Sequence, residues 1–450
     1  MFIRLLRPRS VLLIPKRGRV KTKWATHKKQ KLPSLLALEH FDRFYAPMYD
    51  KLWPSIRLAL LSQQKYGALI NNYSNNVDSA VLDLIDTGAD NFVQIAQSHK
   101  LSEASDIVDK IGLKKDVSIP EILESLQKEK EKPPLVQHDD GHHVETELDS
   151  NLYEYMPVET VYTEDELLEL KETEENIFRP QDFSVDLIED TSLSLPIQLK
   201  VHTFSRGNVT MFQPPKGDSH RLLDYYLLDA ASTLPVLALG LQPRDKVLDL
   251  CAAPGGKALT ILQTGLTDKL TCNDNSHSRL GRLKTVLNWY IPAADKITIL
   301  KKDGTKLGHI MTEMFDKVLV DVPCLTDRHM LQTDDNNIFS SGRKRERLSL
   351  GDTQKQLLCS AILACKPGGS VVYSTCTLSP NQNDGVIQST LEWLWENTKI
   401  DVSVCNLKPL ADACSKTFRF YEHCRYGQLV IPHIRANFGP LYFAKLMRIN

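Results

Sequence analysis

The first 38 residues contain no acidic side chain, and no cysteine occurs before Cys251. Eleven Lys and Arg lie between Arg4 and Lys31, and the first carboxylate is Glu39, so the start of the chain is a purely basic arm. None of the nine cysteines stands in C-x-x-C spacing, which excludes a zinc ribbon, and their late placement excludes a disulfide scaffold. The apolar run at residues 11–14 is too short for a membrane span or a secretory signal core. Neither G-x-G-x-x-G nor G-x-x-x-x-G-K-[ST] occurs, so no pyrophosphate cradle is prescribed. There is no internal repeat, which excludes a solenoid or a propeller.

The charge that is present is segregated. The whole chain carries a net charge of −1, yet residues 103–179 hold 22 Asp or Glu against 8 Lys or Arg. Leu5, Leu6, Leu12 and Leu13 among the N-terminal arginines match an import helix, so residues 1–38 are read as a mitochondrial targeting segment addressed to the matrix. Residues 39–101 read as a small helical region, with "WPSIRLALLSQQKYGALIN" taken as a helix that carries Pro54 in its first turn. Residues 102–190 are acidic and punctuated by proline, and read as a disordered insertion. Within it His138, Asp139, Asp140, His142 and His143 lack the ligand spacing of a metal site.

From about 191 to 450 the texture is that of one catalytic domain. "DYYLLDAASTLPVLALGL" (224–241) reads as a helix. Apolar strands expected at 247–250, 270–273, 297–300, 318–321 and 371–374 alternate with helical stretches near 258–263, 279–290, 354–365 and 386–394. Strand and helix in alternation predict a doubly wound α/β fold, a parallel sheet covered on both faces. The tail "GQLVIPHIRANFGPLYFAKLMRI" predicts an antiparallel edge. Ligands of such sheets bind at the carboxyl ends of the strands.

"KVLDLCAAPGGKALTIL" is a strand, a turn of small residues and a helix. Ala252, Ala253, Gly255 and Gly256 let a ligand approach the backbone, and the helix-start N–H groups suit a carboxylate. Asp274 ends the next strand, where a carboxylate can accept both ribose hydroxyls, and Asp303 follows the third, placed to meet an adenine amino group. A nucleoside with an amino-acid tail and no phosphate is S-adenosylmethionine.

Two further strand ends carry thiols, Cys324 in "VLVDVPCLT" and Cys376 in "VVYSTCTLS". Addition of a thiolate across C6 of cytosine turns C5 into an enamine-like carbon that can attack a methyl sulfonium. A second group must then remove the C5 proton, and Asp321 and Lys257 stand ready to share the proton traffic. Spacing leaves open which thiol attacks, because DNA cytosine methyltransferases use the Pro-Cys thiol.

"DLCAAPGGK", "DVPC" and "YSTCTLSPNQND" together resemble the Sun-domain (Nop/Sun) RNA cytosine-5 methyltransferases, over roughly 195–450. "WPSIRLALLSQQKYGALINN", "DRHMLQTDDNNIF" and "ANFGPLY" are similar to the mitochondrial ribosomal-RNA branch of that family. The resemblance implies a Rossmann-like methyltransferase domain, Cys376 as nucleophile on C6 and Cys324 as the thiol that promotes product release. It places Gly255, Gly256, Lys257, Ala258, Asp274, Arg279, Asp303, Gly304 and Asp321 at the S-adenosylmethionine site, with Asp321 and Lys257 also beside the base. Ala258 departs from the family's hydroxyl residue and Asp384 from its usual Glu. The resemblance further implies a helical-repeat partner of the mitochondrial termination-factor type and action on mitochondrial ribosomal subunits. Arg343, Lys344, Arg345 and Arg347, in a loop after the Pro-Cys strand, are expected to meet RNA phosphates.

Three readings compete with catalysis on ribosomal RNA. One is a ribosome-assembly factor that no longer needs its chemistry, against which the intact thiols argue. Another is a mitochondrial tRNA methyltransferase, which an added nucleic-acid-binding domain would favour. The third is an amino-group methyltransferase, which predicts Asn/Asp-Pro-Pro-aromatic at 321–324, where the chain has "DVPC".

Overall fold

The computed structural model describes residues 31–99, 185–190, 195–292 and 296–450. The basic arm up to residue 30 and the bulk of the acidic insertion, with its histidines, lie outside the described residues.

The N-terminal region begins with two helices, α1 (Pro33–Tyr49) and α2 (Trp53–Leu61), whose aromatic and aliphatic residues Phe41, Tyr45, Tyr49, Trp53 and Ile56 are buried. The second helix ends earlier than its sequence suggests. Ser62 turns into extended backbone, and "GALI" becomes strand β1 (Gly67–Ile70), every residue of it buried. Gly67 lets β1 run close beside Ala230, since a Cβ there would lie 2.8 Å from the Ala230 Cβ. With β2 (Ala89–Asn91), β1 joins a sheet whose other strands come from far along the chain. The chain resumes with β3 (Leu187–Glu189), and β4 (Val201–Phe204) and β5 (Tyr225–Leu228) complete the order β2-β4-β1-β5. The stretch 224–241 is therefore not one helix. After β5 the Asp229 carboxylate accepts the Ala231 N–H and starts a 3-10 turn, followed by the short helix Leu234–Ala238.

The main sheet contains β6 (Asp245–Asp249), β7 (Thr267–Asn273), β8 (Ile297–Leu300), β9 (Phe315–Asp321), β10 (Cys365–Thr375), β11 (Val402–Asn406), β12 (Phe420–Tyr421), β13 (Gln428–Val430) and β14 (Leu441–Arg448). Its order is β12-β13-β14-β10-β9-β6-β7-β8, with β11 on the far half of β14 and β3 beyond it. Strands β6 to β10 run parallel, and β14 lies antiparallel to β10, as the tail predicts. The chain leaves β6 toward β7 and β8 and returns to β9 and β10 on the other side. The order thus reverses between β6 and β9, and a crevice opens at their carboxyl ends.

Successive residues of the central strands point to opposite faces, as the period of two requires. Val318, Val320 and Tyr373 pack with α1, α2 and the helices Leu350–Ala364 and Asp384–Asn397. Leu319 and Val372 pack on the other face with the helices Gly256–Gln263 and His277–Tyr290.

Strand β3 falls inside the segment read from sequence as insertion. It pairs in parallel with β11, and Asp190 just after it forms a 2.6 Å ion pair with Lys445 on β14, both side chains out of contact with solvent. The folded part therefore resumes by residue 185, ahead of the expected boundary at 190.

Candidate active site

Strand β6 ends in Asp249, and the turn that follows brings the chain back over the sheet. Gly255 takes φ +119°, a left-handed conformation that only glycine adopts without strain, and caps the helix Gly256–Gln263. The Ala253–Pro254 peptide is cis. Arg279 holds this turn: its guanidinium donates to the Ala253 carbonyl at 2.7 Å and pairs with the Asp274 carboxylate at 3.2 Å. Asp274 is itself buried, and its other oxygen accepts the Ser276 N–H. Asn273, unremarked in the sequence, donates to the carbonyls of Leu250 and Lys302 and accepts the Lys302 N–H, tying three strand ends together.

Two expected cofactor positions have a structural task of their own. Asp303 caps the helix Gly304–Ile310, accepting from the Thr305 N–H and hydroxyl. Gly304 lets that helix approach its neighbour, since a Cβ would sit 2.7 Å from Leu357 Cδ2. The Ala258 methyl is fully buried in the core. Asp384 anchors the C-terminal half of the domain, accepting from the backbone of Arg425 and Tyr426 and from the Tyr442 hydroxyl.

Cys324, three residues past the end of β9, and Cys376, one past the end of β10, converge. Their sulfurs are 3.2 Å apart, and the Cys376 N–H also points at Cys324 Sγ, at 3.3 Å. The strands bring them together because β9 and β10 are adjacent and parallel, with Ser374 beside Asp321. The hydrogen bond from Cys376 holds the Cys324 thiol below its ordinary pKa, and the same contact, then burial, pushes Cys376 well above. Lys257 and Asp321 form a 2.7 Å ion pair, and the Ser374 hydroxyl donates to the second Asp321 oxygen. Burial lowers the Lys257 pKa, but the Asp321 charge and hydrogen bond outweigh it and hold the ammonium above its usual value.

Sequence reasoning missed the residues that hold these loops. Asp327, fully buried, accepts from the Thr377 hydroxyl and the Leu378 N–H at 2.7 Å each, and so locks the segment after Cys324 onto the segment after Cys376. The Tyr49 hydroxyl on α1 donates to the Leu378 carbonyl at 2.6 Å. Arg328 donates to Ala59, Ser62, Gly439 and the Asn437 side chain, joining α2 to the segment that leads into β14. Only the clustering of polar residues in "DRHMLQTDDNNIF" hinted at such a task. Asp249 was missed as well: it is buried, and neither of its oxygens accepts a hydrogen bond of good geometry.

The basic stretch expected to meet RNA is not a loop but a 3-10 turn, Ser341–Arg343, and the helix Lys344–Leu348. Arg343 is engaged by both Glu346 oxygens and by Asn336. Arg347 lies over the Phe339 ring at 4.6 Å, facing a cavity of about 320 Å³ shared with His40 and Phe44 of α1. Arg345 is exposed, and Lys344 is partly so.

A reversing parallel sheet, a glycine turn at its first strand and an acid at the second define the class of Rossmann-like methyltransferases. The crystal structure of PH0851 shares this fold, with a TM-score of 0.51 over 91% of this chain and 68% of its own at 15% identity. The family model for the 16S rRNA methyltransferase RsmB/F matches residues 236–447. The 5-cytosine rRNA methyltransferase NSUN4 of Mus musculus is 40% identical over 97% of this chain and 94% of its own. Its Caenorhabditis elegans counterpart is 35% identical over 96% and 95%. The mitochondrial tRNA (cytosine(34)-C(5))-methyltransferase of Danio rerio is 43% identical, but over 51% of this chain and 62% of its own. The chain belongs to this family of S-adenosylmethionine-dependent RNA cytosine-5 methyltransferases.

Proposed function

We propose that the protein methylates C5 of a cytosine in the small-subunit ribosomal RNA of mitochondria, in the matrix, and that it takes part in assembly of that subunit with a helical-repeat partner. The observation that carries the chemistry is the pair of thiols 3.2 Å apart beside the Lys257–Asp321 ion pair. The choice of ribosomal RNA rests on similarity that runs the whole length of rRNA enzymes and only half-way along this chain for the tRNA enzyme.

The site fits S-adenosylmethionine: an unsatisfied buried carboxylate at Asp249, a glycine cradle at 255–256 and a carboxylate at Asp274 lie at or beyond the carboxyl ends of the adjacent parallel strands β6 and β7. Bound there, the cofactor supplies an electrophilic methyl group. Attack on C6 requires the Cys376 sulfur as a thiolate, so its proton leaves first by way of the Cys324 sulfur 3.2 Å away. The Lys257 ammonium, held charged by Asp321, is the proton source for the ring nitrogen as negative charge develops there. After methyl transfer Cys324, once it has returned its proton to solvent, takes the C5 proton. The C6–sulfur bond then breaks, the ring nitrogen gives its proton back to Lys257, and the Cys376 thiolate is regenerated.

The test is an adduct gel with ribosomal RNA and S-adenosylmethionine. Cys324→Ala is expected to trap a covalent protein–RNA species and Cys376→Ala to trap none. The reverse pattern would exchange the two roles. Absence of adducts from both variants, with no methyl transfer by the unmodified chain even beside its partner, would favour the assembly-factor reading.

A further inference from the structure

The basic residues expected to hold RNA are in part committed elsewhere, yet a second group of cations has no counter-charge among the described residues. Arg206, Arg419, His433 and Arg435 line a cavity of about 390 Å³. Among the described residues no carboxylate forms an ion pair with any of the three arginines. Burial and then the charges of Arg419 and Arg435 hold the Arg206 guanidinium below its ordinary pKa, and burial followed by the three arginines does the same to His433. Like charges gathered without an acid cost free energy unless an anion joins them.

The sheet register places this cluster on the catalytic edge. Thr375, immediately before Cys376, pairs with Tyr442 at the start of β14, so the segment 431–440 leaves the sheet at the carboxyl end of β10. Val430 pairs with both Leu441 and Phe420, which sets Arg419 at that same edge. Arg206 follows β4, and the Gly207 N–H donates to the Arg435 carbonyl at 2.7 Å. The segment is also fixed to the catalytic loops, because Arg328, next to Asp327, holds Gly439 and Asn437. Beside the cations runs an apolar groove formed by Tyr66, Val209, Met211, Phe212 and Ile434, with Val209 91% exposed. Cations in line with an aromatic and apolar trough are how single-stranded nucleic acid is held without reading its sequence.

We propose that Arg206, Arg419, His433 and Arg435 bind the phosphodiester backbone of the RNA strand that carries the target cytosine, a few nucleotides from the thiols. This rests on the methyltransferase reading above. Arg206 donates to the carbonyls of Ser415 and Phe418 and so also supports the fold, which makes Arg419 and Arg435 the residues to change.

The experiment compares the full chain with Arg419→Ala/Arg435→Ala and with Arg419→Lys/Arg435→Lys, using a fluorescein-labelled single-stranded fragment of small-subunit ribosomal RNA over a series of salt concentrations. The alanine pair is expected to bind RNA more weakly, with a log–log salt slope smaller by about 1 to 2. It should raise KM for RNA while leaving kcat, the melting temperature and S-adenosylmethionine affinity unchanged. The lysine pair should recover most of the slope. An unchanged affinity and slope in the alanine pair, with methyl transfer intact in the unmodified chain, overturns the site. Loss of binding to a labelled poly-glutamate peptide with RNA binding unaltered assigns the patch to an acidic protein and overturns it too. If the unmodified chain binds S-adenosylmethionine but neither binds nor methylates RNA, it is the functional reading that fails.

Discussion

Asp249 sits at the end of the first parallel strand with both oxygens lacking a well-formed hydrogen bond. Burial, followed by the nearby Asp321 charge, pushes its pKa up to about 8, although Lys257 pulls the other way. A carboxyl raised in the folded state is protonated there at neutral pH. Its contribution to stability is complete below the ordinary carboxylate range and is lost as pH rises toward about 8. Denaturant unfolding of the cofactor-free chain should therefore show stability falling across that window, and Asp249→Asn should flatten the fall. A cation seated against the carboxyl draws the proton off. Cofactor binding near neutral pH is thus expected to release a proton, read by calorimetry in buffers of different ionisation heat, and the release should vanish in Asp249→Asn. Asp327 has a related burden, its pKa raised to about 6 by burial, but its oxygens are occupied by the Cys376 segment, and so it orders the thiols.

The helices Gly304–Ile310 and Leu350–Ala364 meet more closely than side chains would permit. A Cβ on Gly308 would lie 2.0 Å from the Ser360 carbonyl oxygen, whereas one on Gly304 meets only the end of the Leu357 side chain. Gly304→Ala is expected to cost about 1–3 kcal/mol, the usual range for overpacking, because Leu357 can turn aside. Gly308→Ala confronts backbone and should cost more, lowering the melting temperature further. The same pair separates packing from ligand contact: unchanged S-adenosylmethionine affinity in folded Gly304→Ala would assign Gly304 to the helix contact alone. Alternation of strand and helix from 245 to 397 was legible because the central strands carry apolar stretches, among them residues 318–320 and 371–373, that are buried on both faces, although the outer strand β8 is only partly buried. The small sheet was not, since its strands are short and drawn from residues 67–70, 89–91, 201–204 and 225–228, which pair at distances that periodicity does not encode. Propensity made 224–241 a helix, and pairing with β1 made its beginning a strand.

At the scale of the molecule, the N-terminal helices and the catalytic sheet share one core, since Phe41, Tyr45 and Ile56 pack with Val318 and Tyr373. The acidic segment joins this body at residue 185 and is expected to be dispensable up to there. Deleting residues 103–179 should leave cofactor affinity and melting temperature intact; loss of either would show that the segment supports the fold. Asp190 must be kept. Asp190→Ala removes the carboxylate 2.6 Å from the buried Lys445 ammonium, and breaking a buried pair on one side costs about 3–5 kcal/mol. No helix among the described residues is long and apolar enough to cross a membrane.

The sequence alone determined the doubly wound class, the glycine turn and the two thiols at strand ends, because apolar runs, glycines and cysteines in fixed spacing are local signals. Tertiary structure alone decided that the thiols touch, since that depends on β9 and β10 being neighbours. It also decided which cations, among the described residues, meet a carboxylate. Arg343 finds Glu346 three residues away, whereas Arg206, Arg419 and Arg435 are brought together from three separate segments. Charge in a sequence counts partners along the chain, and only the fold settles which of them are within reach.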